Sequence, residues 1–187
     1  MVKLTKYPWV EKDRHFFTSD LHIFHDPNWE IPIWKSRGYE SAEHAAEEIA
    51  NKINERVGED DILWNFGDLF LNADDAKCLD WLSKIKCKNI KKLWGNHHSN
   101  TYRMYKQEVE KQFNLKDTEV YPVKMGNLEF VGNHVEILIG KRHIVMNHFP
   151  LRIWNRYAKS SWMLSGHSHG IDTVSYTHLT LPTNREV

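Results

Sequence analysis

The feature that most narrows the fold is a unit that recurs along the chain: a short apolar run, a polar cluster, then an amphipathic helix. HFFTS at 15–19 stops at Asp20, DILWNF at 61–66 runs straight into Gly67-Asp68, and NIKKLW at 89–94 enters Gly95-Asn96-His97. Each reads as a buried strand that ends in a polar loop. Between and after them lie helical patterns. SAEHAAEEIANKINERVG at 41–58 sets Ala42, Ala45, Ala46, Ile49, Ile53 and Val57 on one face, with Glu43 in the first turn and Gly58 as a stop. ADDAKCLDWLSKI predicts a second helix with Ala76, Leu79, Leu82 and Ile85 inward, and TYRMYKQEVEKQF a third. Strand, loop and helix in repetition favour a parallel α/β core with right-handed crossovers.

Beyond about residue 118 the texture turns to short β segments, EVYPV, LEFV, VEILI and RHIVMN, separated by Gly126-Asn127, Gly132-Asn133 and Gly140-Lys141. Such pairs between apolar alternations are hairpin signals. SSWMLS is a last strand, ahead of Gly166-His167-Ser168-His169. The expected organisation is one domain over 1–173. The tail 174–187, within VSYTHLTLPTNREV, resembles translated adaptor sequence and is expected to be non-native read-through, with the C-terminus of the fold truncated.

Composition excludes several classes. With 25 basic against 25 acidic residues, no broad attraction to nucleic acid or membrane is implied. No apolar run has the ~18 residues of a membrane span, and the N-terminus lacks the apolar core of a secretory signal, so the expected location is cytoplasmic. Cys78 and Cys87 read as reduced packing thiols. Twelve histidines and eight tryptophans are many for 187 residues, a compositional hint of a site.

Five polar clusters follow apolar strands: Asp20-Leu21-His22, Gly67-Asp68, Gly95-Asn96-His97, Asn147-His148 and Gly166-His167-Ser168-His169. Loops beyond the carboxyl ends of α/β strands converge on one rim, so clusters spread over most of the chain could meet. Their side chains are N and O ligands for divalent first-row metals. Asp20 and His22, like His167 and His169, are two apart and could face one ion if extended.

In this order the motifs resemble the signature of the calcineurin-like metallophosphoesterases: D-x-H, G-D, G-N-H, a lone H, and G-H-x-H. The small single-domain members, with D-x-H-x-x-H at Asp20, His22 and His25, are most similar. The resemblance spans roughly residues 15–172 and implies a four-layered α/β/β/α sandwich with mixed sheets and two divalent ions, Mn, Fe or Zn, on its rim. By motif, Asp20, His22 and His169 would hold the first ion and Asn96, His148 and His167 the second, with Asp68 bridging. It further implies hydrolysis of a phosphoester by a metal-bridging hydroxide, formed when the pKa of shared water falls from about 15.7 towards about 7. His97 would be the catalytic acid or phosphoryl contact. The chain departs from the family at His98, where an acidic residue is usual, so His98 stands as a solvent-facing neighbour, a phosphate contact or a sign of weak catalysis. The alternative in a different class is a catalytically weak metal-binding interaction module on the same fold. A single structural zinc site is a third.

Other residues have blander readings. Gly132-Asn133-His134 repeats the Gly-Asn-His motif but reads as a hairpin turn, with His134 opening the next strand. His25 is either a substrate contact or a capped loop residue, and Trp29, Trp34 and Trp154 are expected to seal core edges. Lys84, Lys86, Lys88, Lys91 and Lys92 form a basic run read as a solvated face remote from the metals. The expected partner is a phosphoester, either a small molecule or a nucleotide, with nucleic acid compatible but not indicated.

Overall fold

A computed structural model describes residues 5–7, 14–27, 31–116 and 118–169. Trp29 and the tail 174–187 lie outside the described residues. The elements in chain order are β1 (Thr5–Tyr7), β2 (His15–Thr18), α1 (Ile33–Ser36), α2 (Ala42–Arg56), β3 (Ile62–Asn65), α3 (Asp75–Lys84), β4 (Asn89–Leu93), α4 (Ser99–Phe113), β5 (Val123–Met125), β6 (Leu128–Gly132), β7 (His134–Ile139), β8 (Arg142–Asn147) and β9 (Trp162–Leu164), with a 3₁₀ turn at Tyr157–Lys159.

The strand–loop–helix unit gives what its pattern predicts. β2, β3, β4 and β6 pair in parallel, and β5 closes the edge antiparallel, in the order β2-β3-β4-β6-β5. A second sheet runs β1-β7-β8-β9, with only β7 and β8 antiparallel. This is an α/β fold with two mixed sheets. All six predicted residues are buried, five on α2 and Val57 at its C-cap, and the start of α2 is capped by Ser41, whose hydroxyl accepts from His44 N.

α3 is partly rotated from the expected face: Leu82 and Ile85 are buried as expected and Cys78 and Trp81 join them, while Ala76 is exposed and Leu79 is 49% exposed. Trp81 decides the rotation: its bulk goes inward, and its indole N–H donates to Ala46 O at 2.7 Å, tying α3 to α2. EVYPV is not a strand, since β5 begins only at Val123. The pairs at Gly126 and Gly140 do form hairpins, but Gly132-Asn133 does not, because β6 and β7 belong to different sheets. That turn is the crossing between sheets, with Gly132 at φ 104. His134 still opens β7.

Two cores follow. The helices pack on one face of the five-stranded sheet around Ile49, Trp81, Tyr105 and Phe130. Between the sheets lie Trp64, Leu93, Ile137, Ile144 and Met146. Cys78 and Cys87 are buried and free, and burial pushes the Cys78 thiol up to about 12, as suits packing thiols. On the outer face of the second sheet, the 148–161 crossover from β8 to β9 lies over Glu136, whose carboxylate accepts from Asn155 Nδ2 at 2.8 Å. The basic run is not uniformly solvated: Lys92 is 1% exposed, and Lys91 pairs with Glu129, whereas Lys84, Lys86 and Lys88 are exposed. Among the described residues, no helix is long and apolar enough to cross a membrane.

Candidate metal centre

The five polar clusters leave the carboxyl ends of β2, β3, β4, β8 and β9, and they meet where the two sheets adjoin. The first two loops are zipped together beyond their strands: His22 N donates to Asp68 O at 2.9 Å and Ile23 N to Leu69 O at 2.9 Å. The backbone then turns sharply. Asp20, His22, Asp68, His167 and His169 all have positive φ, between 48° and 68°. Non-glycine residues there are uncommon, and five among the seven expected ligands mark a segment whose conformation serves the site rather than the chain. The expectation that paired residues two apart face one ion by being extended is therefore replaced by left-handed turns.

Close approach requires three of the glycines, Gly67, Gly95 and Gly166, the last two against carboxylates. A Cβ on Gly95 would lie 2.0 Å from Asp68 Oδ1, and one on Gly166 would lie 1.9 Å from Ser19 Oγ and 2.3 Å from Asp20 Oδ2. Both loops press against the carboxylates with bare backbone. Each carboxylate then has one oxygen committed: Asp68 Oδ1 accepts from His97 N at 2.8 Å, and Asp20 Oδ2 from His167 N at 2.9 Å. The other oxygens face the histidines. Asp20 Oδ1 lies 3.9 Å from His22 Nε2 and 3.7 Å from His169 Nε2; Asp68 Oδ2 lies 3.9 Å from His22 Nε2 and 3.4 Å from His148 Nε2. Asn96 Oδ1 sits 2.7 Å from His148 Nε2 and 2.9 Å from His167 Nδ1.

Protonation decides what this arrangement can hold. Burial lowers the His22 imidazole to about 4, although Asp68 and Asp20 pull the other way, so it is neutral at pH 7. Neither of its ring nitrogens, nor Asp20 Oδ1, has a hydrogen-bond partner, although all are buried. Burial likewise lowers His148. Its Nδ1 lies 3.0 Å from Phe66 O and so carries the proton, leaving the Nε2 lone pair turned towards Asn96 Oδ1 and Asp68 Oδ2. Lone pairs facing lone pairs are costly unless a cation stands among them. Asp20, His22 and His169 form one group able to hold an ion, and Asp20, Asp68 and His148 another. Each group offers oxygen and nitrogen donors that suit a divalent ion.

The remaining expected residues divide. His97 is exposed, with its ring 5.5 Å from that of His22. His25 is 5% exposed; its Nδ1 accepts from Ile33 N at 3.2 Å at the start of α1, which is the capped-loop arrangement. His98 turns inward: its Nδ1 lies 2.6 Å from Gly95 O, and its ring packs against Trp94 and Tyr102. Trp34 donates to Asp26, and Trp154 to Ser161, both half-buried.

Three residues bearing on the site carry no motif signal. Arg37 donates through Nη1 to Leu21 O at 2.7 Å and through Nη2 to Asp20 O at 2.6 Å, clamping the first loop from 17 positions away. Lys92 lies in the core beneath the rim, donating to Leu93 O at 3.0 Å. Phe149 stands edge-on to His148 and His167, with ring centroids at 4.9 and 4.6 Å. An aromatic residue next to an expected ligand was visible in the sequence, but the contacts of Arg37 and Lys92 depend on the fold.

No protein-family profile and no curated protein matches the chain. Among solved structures it is similar to the crystal structure of the protein of unknown function AQ665 from Aquifex aeolicus. The identity is 16%, the TM-score 0.46, and the match covers 79% of this chain and 68% of that one.

Proposed function

We propose that the chain is a metal-dependent phosphoesterase of the calcineurin-like kind, hydrolysing a phosphoester with two divalent ions of Mn, Fe or Zn. The finer architecture of this reading is the four-layered α/β/β/α sandwich, its fourth layer on the outer face where the 148–161 crossover runs. The observation that carries the reading is the meeting of the seven expected ligands from five strand ends, with buried Asp20 Oδ1 and both His22 ring nitrogens lacking any hydrogen-bond partner.

Two ions held there would supply Lewis acidity, acidifying a water and drawing charge from the phosphoryl oxygens. The chain's own residues supply orientation. Asp68 holds the His97 backbone through one oxygen and offers the other between His22 and His148. Its two carboxylate oxygens are thereby differentiated, which suits a shared ligand. Neutral Asn96 limits the negative charge of the pocket that must receive a phosphate. His97, tethered by its backbone with its ring exposed, would contact the phosphoryl group or give a proton to the leaving oxygen, a contribution typically worth ~10² to 10⁴-fold. His98, closing the turn from Gly95, serves the loop that carries Asn96 and His97.

The test is elemental analysis of purified protein with a panel of bis-p-nitrophenyl phosphate and p-nitrophenyl phosphate. Two ions per chain and hydrolysis of either ester support the reading. Asp68→Ala should abolish turnover and lower metal content, while His97→Ala should lower turnover with both ions retained. Metal-loaded protein inert to both esters would favour the metal-binding interaction module.

A further inference from the structure

The overall balance of charge hides a local imbalance. From residue 137 to residue 169 there is no Asp or Glu, whereas Lys141, Arg142, Arg152, Arg156 and Lys159 are all basic. This stretch includes the 148–161 crossover, which leaves the candidate centre at His148, passes over the outer face of the second sheet, and returns along β9 to His167 and His169. Its surface combines charge with apolar side chains. Arg152, Arg156 and Lys159 are exposed, and so are Phe149 at 46%, Ile153 at 66% and Tyr157 at 54%.

Such exposure is not what a crossover needs merely to cover a sheet. Its anchoring is done elsewhere, by Asn155 on Glu136 and by Trp154 on Ser161. Tyr157 shares in that work, its ring standing edge-on to Trp154, whereas Arg152, Ile153 and Arg156 take no part in these two bonds. At one end, Phe149 touches the rings of His148 and His167 and is 46% exposed beside the centre. At the other end, Arg142 donates to Ser160 O at 3.0 Å and lies in a shallow depression with Lys141 and Lys159. The six residues of β8 separate the two ends by roughly 20 Å at ~3.3 Å per residue. That is the rise of about six stacked nucleotides at ~3.4 Å each.

We propose that residues 149–160 form a track for single-stranded nucleic acid, with Phe149 as a stacking platform beside the centre, so that the substrate is an oligonucleotide phosphodiester. The substrate assignment rests on the phosphoesterase reading above. Basic side chains that follow the phosphates, interleaved with rings on which any base can stack, are the usual means of holding a single strand without reading its sequence. Hydrolysis there breaks one P–O bond of the diester: the oxygen of water joins phosphorus, one proton goes to the departing sugar oxygen, and the other passes to solvent.

The experiment measures fluorescence anisotropy of a fluorescein-labelled 12-mer of deoxythymidylate in EDTA, so that binding is read apart from turnover. Affinity should fall steeply with salt. Arg152→Glu/Arg156→Glu should weaken it at least tenfold and flatten the log–log salt slope by about 1.4, the share of two phosphate contacts. Phe149→Ala should weaken it roughly 5- to 100-fold, the loss of one stacked base. Thermal melts confirm that the variants fold. No salt-sensitive binding, wild-type affinity in the double variant, or equal competition by heparin with no effect of Phe149→Ala overturns the track. A change of oligomeric state in the double variant, with oligonucleotide affinity unchanged, assigns the face to a second copy and also overturns it. Turnover of bis-p-nitrophenyl phosphate, expected unchanged in the double variant, separates the two readings. Small-ester hydrolysis without oligonucleotide binding sinks the track alone, whereas binding without hydrolysis of any ester sinks the substrate assignment.

Discussion

Gly95 lies so close to Asp68 that a single methyl group at residue 95 would stand 2.0 Å from the carboxylate oxygen Oδ1. That oxygen also accepts from His97 N, so Gly95 and His97 hold one carboxylate from two points of the same turn. Gly95→Ala should therefore act on the centre before it acts on the fold. The expected cost in stability is about 1–3 kcal/mol, typical of overpacking. Ion content should fall further than that figure alone implies, because Asp68 must move. Urea unfolding and elemental analysis of the variant measure the two effects, and full ion content in Gly95→Ala would contradict the placement of Asp68.

Arg37 fixes the carbonyls of Asp20 and Leu21 without touching any expected ligand atom. Replacing it with Met keeps much of the apolar stem and removes the clamp. Partners that orient ligands in this way typically change metal affinity ~10- to 100-fold. Calorimetric titration with Mn²⁺ should show that loss, confined to one of two binding events. Unchanged affinity at both would reduce Arg37 to a surface residue.

Lys92 makes the stability of the metal-free protein depend on alkaline pH. Burial pushes its ammonium down to about 7, from an ordinary 10.5, with Asp68 opposing. Between those values the unfolded chain holds a proton that the folded chain does not. Stability should therefore rise with pH across this window and be lowest below it. A shift of this size corresponds to roughly 5 kcal/mol. In Lys92→Met the rise should vanish, and stability at pH 7 should increase by about 2 kcal/mol once the lost bond to Leu93 O is counted. Urea midpoints at several pH values between 7 and 10, in EDTA, check this; parallel curves for the two proteins would refute it.

His98 bears on a different question. Its Nδ1 contacts Gly95 O, a bond that a carboxylate cannot donate. His98→Asp should then cost about 1 kcal/mol of stability. It should give no large gain in phosphoester turnover, since the loop that aims Asn96 and His97 is loosened. A gain of tenfold or more in kcat would show instead that the imidazole limits the reaction.

Much of this was legible in the sequence because the pattern was local. The strand ends at Asp20, Asp68 and Asn96, and the buried face of α2, follow from periodicity within a dozen residues. What escaped depends on distance along the chain. Lys92 looks like one more charge in a basic run until β4 takes its place between β3 and β6 and buries it. The rotation of α3 was set by the reach of Trp81 to Ala46, which no helical count reveals. Gly132-Asn133 carries a hairpin signature, yet it passes between sheets because β6 has already found its partners in β4 and β5. The left-handed turns at Asp20 and His167 were invisible for the same reason. Only the opposing loop, pressed against them, makes those conformations worth adopting.

The expected ligands are divided between the two sheets: Asp20, His22, Asp68 and Asn96 hang from one, His148, His167 and His169 from the other. Any ion taking donors from both is a cross-link between halves of the molecule that share no strand. It can close only after the sheets have docked, so its arrival records the end of folding. A coloured ion such as Co²⁺, followed by its visible absorption during refolding, would turn the centre into a clock for that last event.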